Sequence, residues 1–132
     1  MTIKYLCPKC HKSVNIGDQI ILTGKTKTGL KGLVLLDSKL GDYNTQFSDD
    51  LNLVEGNKVK LACPICHACL ATRKDKNLAH LNMVDGNNKE TTIYFSQILG
   101  EKCTYKIEDK KTMQSFGKDK ELYKPDWLIE NL

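Results

Sequence analysis

Two copies of one short pattern decide how this sequence folds: Cys7-Pro8-Lys9-Cys10-His11 and Cys63-Pro64-Ile65-Cys66-His67. In each copy, two residues between the cysteines let both sulfurs converge on one cation from a tight turn. The proline fixes φ in that turn, and backbone amides within the turn can point at the sulfurs. Two such turns supply the four thiolates of a tetrahedral Zn²⁺ site, with Zn–S bonds of about 2.3 Å. The sequence therefore predicts one metal ion bound by Cys7, Cys10, Cys63 and Cys66.

The two copies resemble the paired Cys-Pro-x-Cys knuckles of zinc-ribbon and rubredoxin-like proteins, in which two hairpin tips clamp one metal. The resemblance is confined to these two patches and implies nothing about the rest of the chain. Glycine commonly follows the second cysteine, but here His11 and His67 do, and histidine tolerates the left-handed region better than most residues. The pairs are also separated by 52 residues, where typical ribbons have roughly 15–20. This spacing predicts an inserted β-substructure.

Other roles for the cysteines are a metal-free core, a redox pair or an iron centre. Duplicated turns are hard to obtain from core packing alone, and a thioredoxin-like redox pair needs a strand-to-helix context that the pattern lacks. Cys69 extends the second copy toward a ferredoxin-like run, but no cysteine stands at the fourth position of such a cluster. Zinc is therefore favoured as the metal, with iron as the alternative. Cys69 and Cys103 are interpreted as core or half-buried thiols.

A closed set of four thiolates predicts a structural metal and not a catalytic one, because a catalytic zinc keeps one coordination position open. No other catalytic motif stands out, so the sequence favours a protein without enzymatic activity. His11 and His67 directly follow the ligand pairs. They are expected to lie beside the metal site and to act on it indirectly, or to lie on the surface.

Composition and charge favour one cytoplasmic domain spanning residues 1–132. The chain has 132 residues, 40% of them hydrophobic, and a formal net charge of +4, which is ordinary for a soluble domain. Arg73 is the only arginine, and base readout and phosphate binding favour arginine. Nucleic acid is therefore a disfavoured partner. No signal segment precedes Cys7 and no apolar run reaches membrane-spanning length, which predicts reduced thiols and no membrane association.

Apolar residues in short alternating runs predict a mainly β chain. Residues 3–6 and 58–62 lead directly into the two cysteine turns. Residues 37–50 have the composition of a loop, 103–107 alternate like a further strand, and Asp126 is expected to cap a short C-terminal helix that includes Trp127. Three hairpins are expected, pairing residues 18–23 with 30–36, 51–54 with 58–62, and 78–84 with 91–98.

Together these features favour a small zinc protein that binds another protein or a second copy of itself. The metal would fix one end of a β domain and hold a contact surface rigid. The candidate contact elements are the hairpin tip with Lys25, Lys27 and Lys31, and the tail at residues 127–129. The alternatives are a rubredoxin-like electron carrier with iron at the same cysteines and a nucleic-acid-binding zinc ribbon.

Overall fold

Ten antiparallel strands and one short helix make up the described part of the chain, which is mainly β. The computed structural model describes residues 3–40, 43–73, 75–108 and 112–123. The helix is a 3-10 helix at Asp49–Leu51. The strands are β1 (Lys4–Leu6), β2 (Asn15–Ile16), β3 (Gln19–Thr26), β4 (Lys31–Asp37), β5 (Thr45–Phe47), β6 (Val59–Ala62), β7 (Leu78–Val84), β8 (Glu90–Ser96), β9 (Thr104–Glu108) and β10 (Thr112–Phe116).

The strands form two sheets. The first sheet has the order β1-β7-β8-β9-β10, and the second has the order β2-β3-β4-β5, with β6 also paired to β3. Strand β3 is the centre of the second sheet, because β4 lies along one of its edges while β2 and β6 share the other. All strands of the second sheet come from the chain between the two cysteine turns. The inserted β-substructure expected from the long spacing is therefore confirmed.

The main core lies between the sheets and follows from the alternation of side chains along each strand. In β3, the buried residues Ile20 and Leu22 alternate with more exposed neighbours. They join Leu81 and Ile93 of the first sheet in one buried cluster. Tyr94 follows Ile93 directly and therefore points to the opposite face of the first sheet, where a smaller buried cluster is formed by Leu78, Cys103, Tyr105 and Ile107.

The predicted hairpin of residues 51–54 with 58–62 is wrong in its pairing. The turn exists, since the amide of Asn57 donates to the carbonyl oxygen of Val54 at 3.1 Å. However, Leu51 ends the 3-10 helix, and β6 pairs with β3. Leu51 is only 1% exposed, because its side chain packs over Gly24 and Gly32. A free edge of β3 accepts β6, and this pairing buries Val59 and Leu61 in the main core.

Most of the other elements agree with the sequence. The hairpins β3–β4 and β7–β8 form as expected, and β1 and β9 lie at the predicted strands. Residues 37–50 contain β5 and the first two residues of the 3-10 helix, so they are not wholly a loop. The expected helix after Asp126 lies outside the described residues. Within the described ranges, no helix is long and apolar enough to cross a membrane.

Replacing Gly24 is expected to destabilise the protein, because this residue lies within β3 and faces the core. A Cβ at this position would lie 2.6 Å from Val59 Cγ1 and 2.8 Å from Val34 Cγ2. Gly24→Ala should therefore lower the free energy of unfolding by about 1–3 kcal/mol, the usual cost of overpacking. Urea unfolding measures this loss. Lys25→Ala, on the exposed face of the same strand, should change stability by less than about 0.5 kcal/mol, and equal effects of the two changes would contradict the packing.

Candidate metal centre

The two cysteine turns have the same backbone structure. We call residues 7–11 the first knuckle and residues 63–67 the second knuckle. In the first knuckle, the amide of Cys7 donates to the carbonyl oxygen of Lys12 at 3.0 Å, and the amide of His11 donates to that of Cys7 at 2.9 Å. The second knuckle repeats both bonds at the same lengths, from Cys63 to Ala68 and from His67 to Cys63. The duplicated sequence pattern therefore corresponds to a duplicated structure.

Backbone amides of each knuckle point at the sulfur of its first cysteine, as the sequence predicts. The amide of Lys9 donates to Cys7 Sγ at 3.3 Å, and the amide of Ile65 donates to Cys63 Sγ at 3.3 Å. Cys63 Sγ also accepts from the amide of Cys66 at 3.5 Å. Such donors stabilise a thiolate over a thiol, because the negative sulfur is the better acceptor. These amides therefore reduce the cost of forming a thiolate, the form of cysteine that binds metals, at the first cysteine of each knuckle.

The two histidines take the backbone conformation in which a glycine is common. His11 has φ 60° and His67 has φ 66°, so the prediction that histidine allows this turn is confirmed. Both side chains are exposed. Among the hydrogen bonds of the described residues, none joins either imidazole to a cysteine sulfur. An indirect role of these histidines at the metal site remains a prediction.

The fold brings the four predicted ligand sulfurs together. Cys7 Sγ lies 3.7 Å from Cys66 Sγ, Cys10 Sγ lies 3.8 Å from Cys63 Sγ, and all four lie within 4.8 Å of one another. A tetrahedral site with Zn–S bonds of about 2.3 Å requires sulfurs about 3.8 Å apart. A disulfide would require about 2.05 Å, and these four cysteines are free. The spacing of the cluster is therefore compatible with one metal ion bound among the four sulfurs.

Each knuckle lies where the chain passes from one sheet to the other. Strand β1 of the first sheet enters the first knuckle, and the chain then continues into β2 of the second sheet. Strand β6 of the second sheet enters the second knuckle, after which Ala71 pairs with Ala79 in β7 of the first sheet. An ion bound by both knuckles would therefore connect the two sheets at these two crossings.

Burial and hydrogen bonding shift the pKa of Cys7 and that of Cys66 in opposite directions. Cys7 and Cys63 are 0% exposed, Cys10 is half-buried, and Cys66 is exposed. Burial raises the pKa of the Cys7 thiol to about 12, because a thiolate loses its hydration there. The backbone amide of Ala68 lowers the pKa of Cys66 to about 7. A cation among the sulfurs would offset the cost of burying the Cys7 thiolate.

The two remaining cysteines lie outside the group of four. Cys103 is buried, as expected, and burial raises its pKa to about 11. Cys69 is exposed, so its assignment as a core or half-buried thiol is wrong. The reason is strand alternation: Leu70 is buried in the main core, which turns the preceding side chain outward. Cys69 pairs with Ala62 beside the second knuckle, just as Ser13 pairs with Leu6 beside the first.

The lysines of the β3–β4 hairpin belong to a longer row. Strand register places Lys25 opposite Lys31 of β4 and also opposite Lys60 of β6. Directly opposed side chains share one face of a sheet, where like charges repel. All three lysines are exposed, and the ion pairs found among the described residues involve none of them. The position of Lys60 beside Lys25 could not be predicted from sequence, because it depends on the unexpected pairing of β6 with β3.

Comparison with protein-family models, curated proteins and solved structures finds no match to this chain. The candidate site therefore stands on its donor set and its geometry.

Proposed function

We propose that the chain binds one Zn²⁺ ion through Cys7, Cys10, Cys63 and Cys66, in a structural centre of the zinc-ribbon type. The observation that carries this proposal is the set of four free sulfurs within 4.8 Å of one another, with two pairs at 3.7 and 3.8 Å, close to the edge length of a ZnS₄ tetrahedron. Four thiolates leave no coordination position for a substrate, so the metal stabilises the fold and does not catalyse a reaction. The same donor set can hold iron, as in rubredoxin-like proteins, and this is the alternative.

Metal analysis of the purified protein tests the proposal directly. We expect about one zinc per chain and a colourless solution, because zinc has a filled d shell. The metal content is measured by mass spectrometry of the native protein and by elemental analysis. A coloured protein with one iron per chain would replace zinc by iron and would favour an electron carrier. A correctly folded protein that contains no metal and takes up none under reducing conditions would overturn the proposal.

We further propose that the metal centre holds a protein-binding surface in place, formed by the lysine row of Lys25, Lys31 and Lys60. An acidic partner would relieve the repulsion among the three ammonium groups. Leu33 lies two residues from Lys31 on the same face of β4 and is 50% exposed, which adds an apolar contact beside the charges. This combination fits an acidic protein segment with interspersed apolar residues better than the uniform charge of a nucleic-acid backbone.

Two labelled probes distinguish the partner classes. A peptide of alternating glutamate and leucine is expected to bind and to lose at least about tenfold in affinity when Lys25, Lys31 and Lys60 are changed to glutamine. The matched control changes Lys4, Lys12 and Lys76, which are also exposed, and should leave binding unaltered. Tighter binding of mixed-sequence single-stranded RNA at the same salt concentration would favour nucleic acid instead. Equal losses in both triple variants would contradict the surface.

A further inference from the structure

A cavity of about 380 Å³ lies between the two sheets. Its walls include side chains that are almost fully buried in the main core: Tyr5, Leu81 and Ile93 from the first sheet, and Val34 and Leu61 from the second. Packed protein interiors contain few voids larger than a water molecule. A space of this size falls instead in the range of small-molecule sites, which starts at about 300 Å³.

Part of the apolar lining is only partly buried. These side chains line the cavity and pack against the main core: Leu36, Leu40, Phe47, Leu53 and Phe95. Two polar groups of the wall are already engaged within the protein. The side chain of Gln97 bonds to the amide of Leu61 and to the carbonyl oxygen of Lys76, and the Tyr43 hydroxyl bonds to Thr104 Oγ1 at 2.9 Å. The inner space therefore suits an apolar group.

A second, more polar cavity adjoins the first and shares Lys39, Leu40, Tyr43, Asn44 and Lys102 with it. Its remaining described lining is Gly117 and Lys118. We call this second cavity the vestibule. Three lysines thus surround the vestibule, and its described lining contains no carboxylate. An anionic group held there would be attracted by all three ammonium groups.

Three carboxylates line the apolar cavity, and each has a contact that accounts for its position. Glu101 accepts a hydrogen bond from Ser96 Oγ at 2.6 Å and another from the Tyr123 hydroxyl. Asp37 accepts from the amide of Lys39 at 2.8 Å. Glu55 packs against Gly100, where its Cγ lies 2.5 Å from the position of an ideal Cβ. These donors are neutral, so the carboxylates keep their negative charge, and Asp119 adds another beside the vestibule by accepting from the amide of Lys102 at 2.9 Å. The described side chains that line the vestibule itself carry only the positive charge of the three lysines.

We propose that the two cavities together bind a small amphipathic carboxylate, with its apolar body between the sheets and its head group among Lys39, Lys102 and Lys118. The size of the apolar space limits the ligand. A water molecule occupies about 30 Å³ in the liquid, and if each non-hydrogen atom of the ligand needs the same volume, the cavity holds about twelve of them. A medium-length fatty acid has this size and this chemistry.

Calorimetric titration of the zinc-loaded protein with decanoate, compared with decanol, tests both halves of the site. Decanoate is expected to bind one-to-one, and decanol at least about tenfold more weakly, because it lacks the charge-assisted hydrogen bonds of the head group. Absence of decanoate binding would overturn the proposal. Equal affinities for the two probes would overturn the role of the lysines and leave only an apolar cavity.

Matched variants locate the ligand. Leu36 lines the cavity, whereas Ile16 in β2 is 74% exposed and does not line it. Leu36→Trp should reduce the space in the cavity and weaken decanoate binding at least about tenfold, whereas Ile16→Trp should leave it unchanged. Equal affinity in the two variants would overturn the location.

A pair of surface variants keeps the test valid if Leu36→Trp fails to fold. Lys39→Gln with Lys102→Gln should weaken decanoate binding at least about tenfold, by loss of charge-assisted hydrogen bonds. Lys4→Gln with Lys12→Gln makes the same change in net charge at exposed positions that line neither cavity, and it should have no effect. An equal loss in both double variants would mean that decanoate responds only to net charge, and would overturn the site.

Discussion

Cys63→Ser is expected to yield a protein without bound zinc and to lower the free energy of unfolding by about 4 kcal/mol, the contribution of a ligand present at about 1,000 times its Kd. Cys63 is 0% exposed, and its sulfur lies 3.8 Å from that of Cys10. A serine hydroxyl is a harder and less acidic donor than a thiol, and it leaves the ion with three thiolates. Elemental analysis and urea unfolding measure the two effects.

Cys69→Ser is the matched control for this change. Cys69 is exposed and lies outside the group of four. A serine, Ser13, already occupies the equivalent position beside the first knuckle, where it pairs with Leu6 as Cys69 pairs with Ala62. We therefore expect the Cys69→Ser protein to retain one zinc per chain and wild-type stability, and the Cys103→Ser protein to retain its zinc. Loss of zinc from Cys69→Ser, or its retention in Cys63→Ser, would show that the ligand set is a different one.

Leu22→Ala is expected to destabilise the protein by about 2–5 kcal/mol, the usual cost of removing a buried leucine side chain and leaving a cavity. Leu22 is 0% exposed and lies on the inner face of β3, the central strand of the second sheet. Thermal unfolding of the zinc-loaded protein measures the loss, which should lower the Tm by roughly 10 °C. The metal content should stay at one per chain at low temperature, because Leu22 lies outside both knuckles.

The control for Leu22→Ala is Leu33→Ala in the neighbouring strand β4. Leu33 lies on the outer face of the same sheet and is 50% exposed. Its truncation should therefore change stability by less than about 0.5 kcal/mol. If Leu22→Ala and Leu33→Ala lowered stability equally, the inner face of the second sheet would not be the face that packs against the first sheet.

The ligand geometry could be predicted from sequence because it is almost entirely local. Two residues between cysteines, a proline and a residue that tolerates positive φ define each knuckle by itself. The positive φ of His11 and His67 follows from this local pattern. Hairpins with short connections could also be predicted, such as the one formed by β7 and β8. In its turn, Asp85 Oδ1 accepts hydrogen bonds from the amides of Asn87 and Lys89. Such contacts depend on neighbours in sequence, which a pattern can show.

The pairing of β6 could not be predicted in this way. The turn before it is genuine, but the strand pairs with β3, which lies more than 30 residues earlier in the chain. Which edge of a sheet is free depends on the complete strand order, and no local pattern contains that order. The lysine row and the cavity both follow from non-local pairing. For this reason Lys60 and the lining residues at 95–104 were missed. β10 was missed as well, because its largely exposed side chains give no clear alternation.

The separation of the two knuckles has a consequence for how the protein is made. During synthesis, Cys7 and Cys10 leave the ribosome well before Cys63, because 52 residues lie between Cys10 and Cys63, and two thiolates alone cannot fill a zinc site. The proposed ion would therefore bind only after every strand of the second sheet, β2 to β6, has been made. It would then close a loop that contains this sheet, and a crosslink over such a loop removes about 4 kcal/mol of conformational entropy from the unfolded chain. Metal uptake would thus mark the moment at which the second sheet is complete.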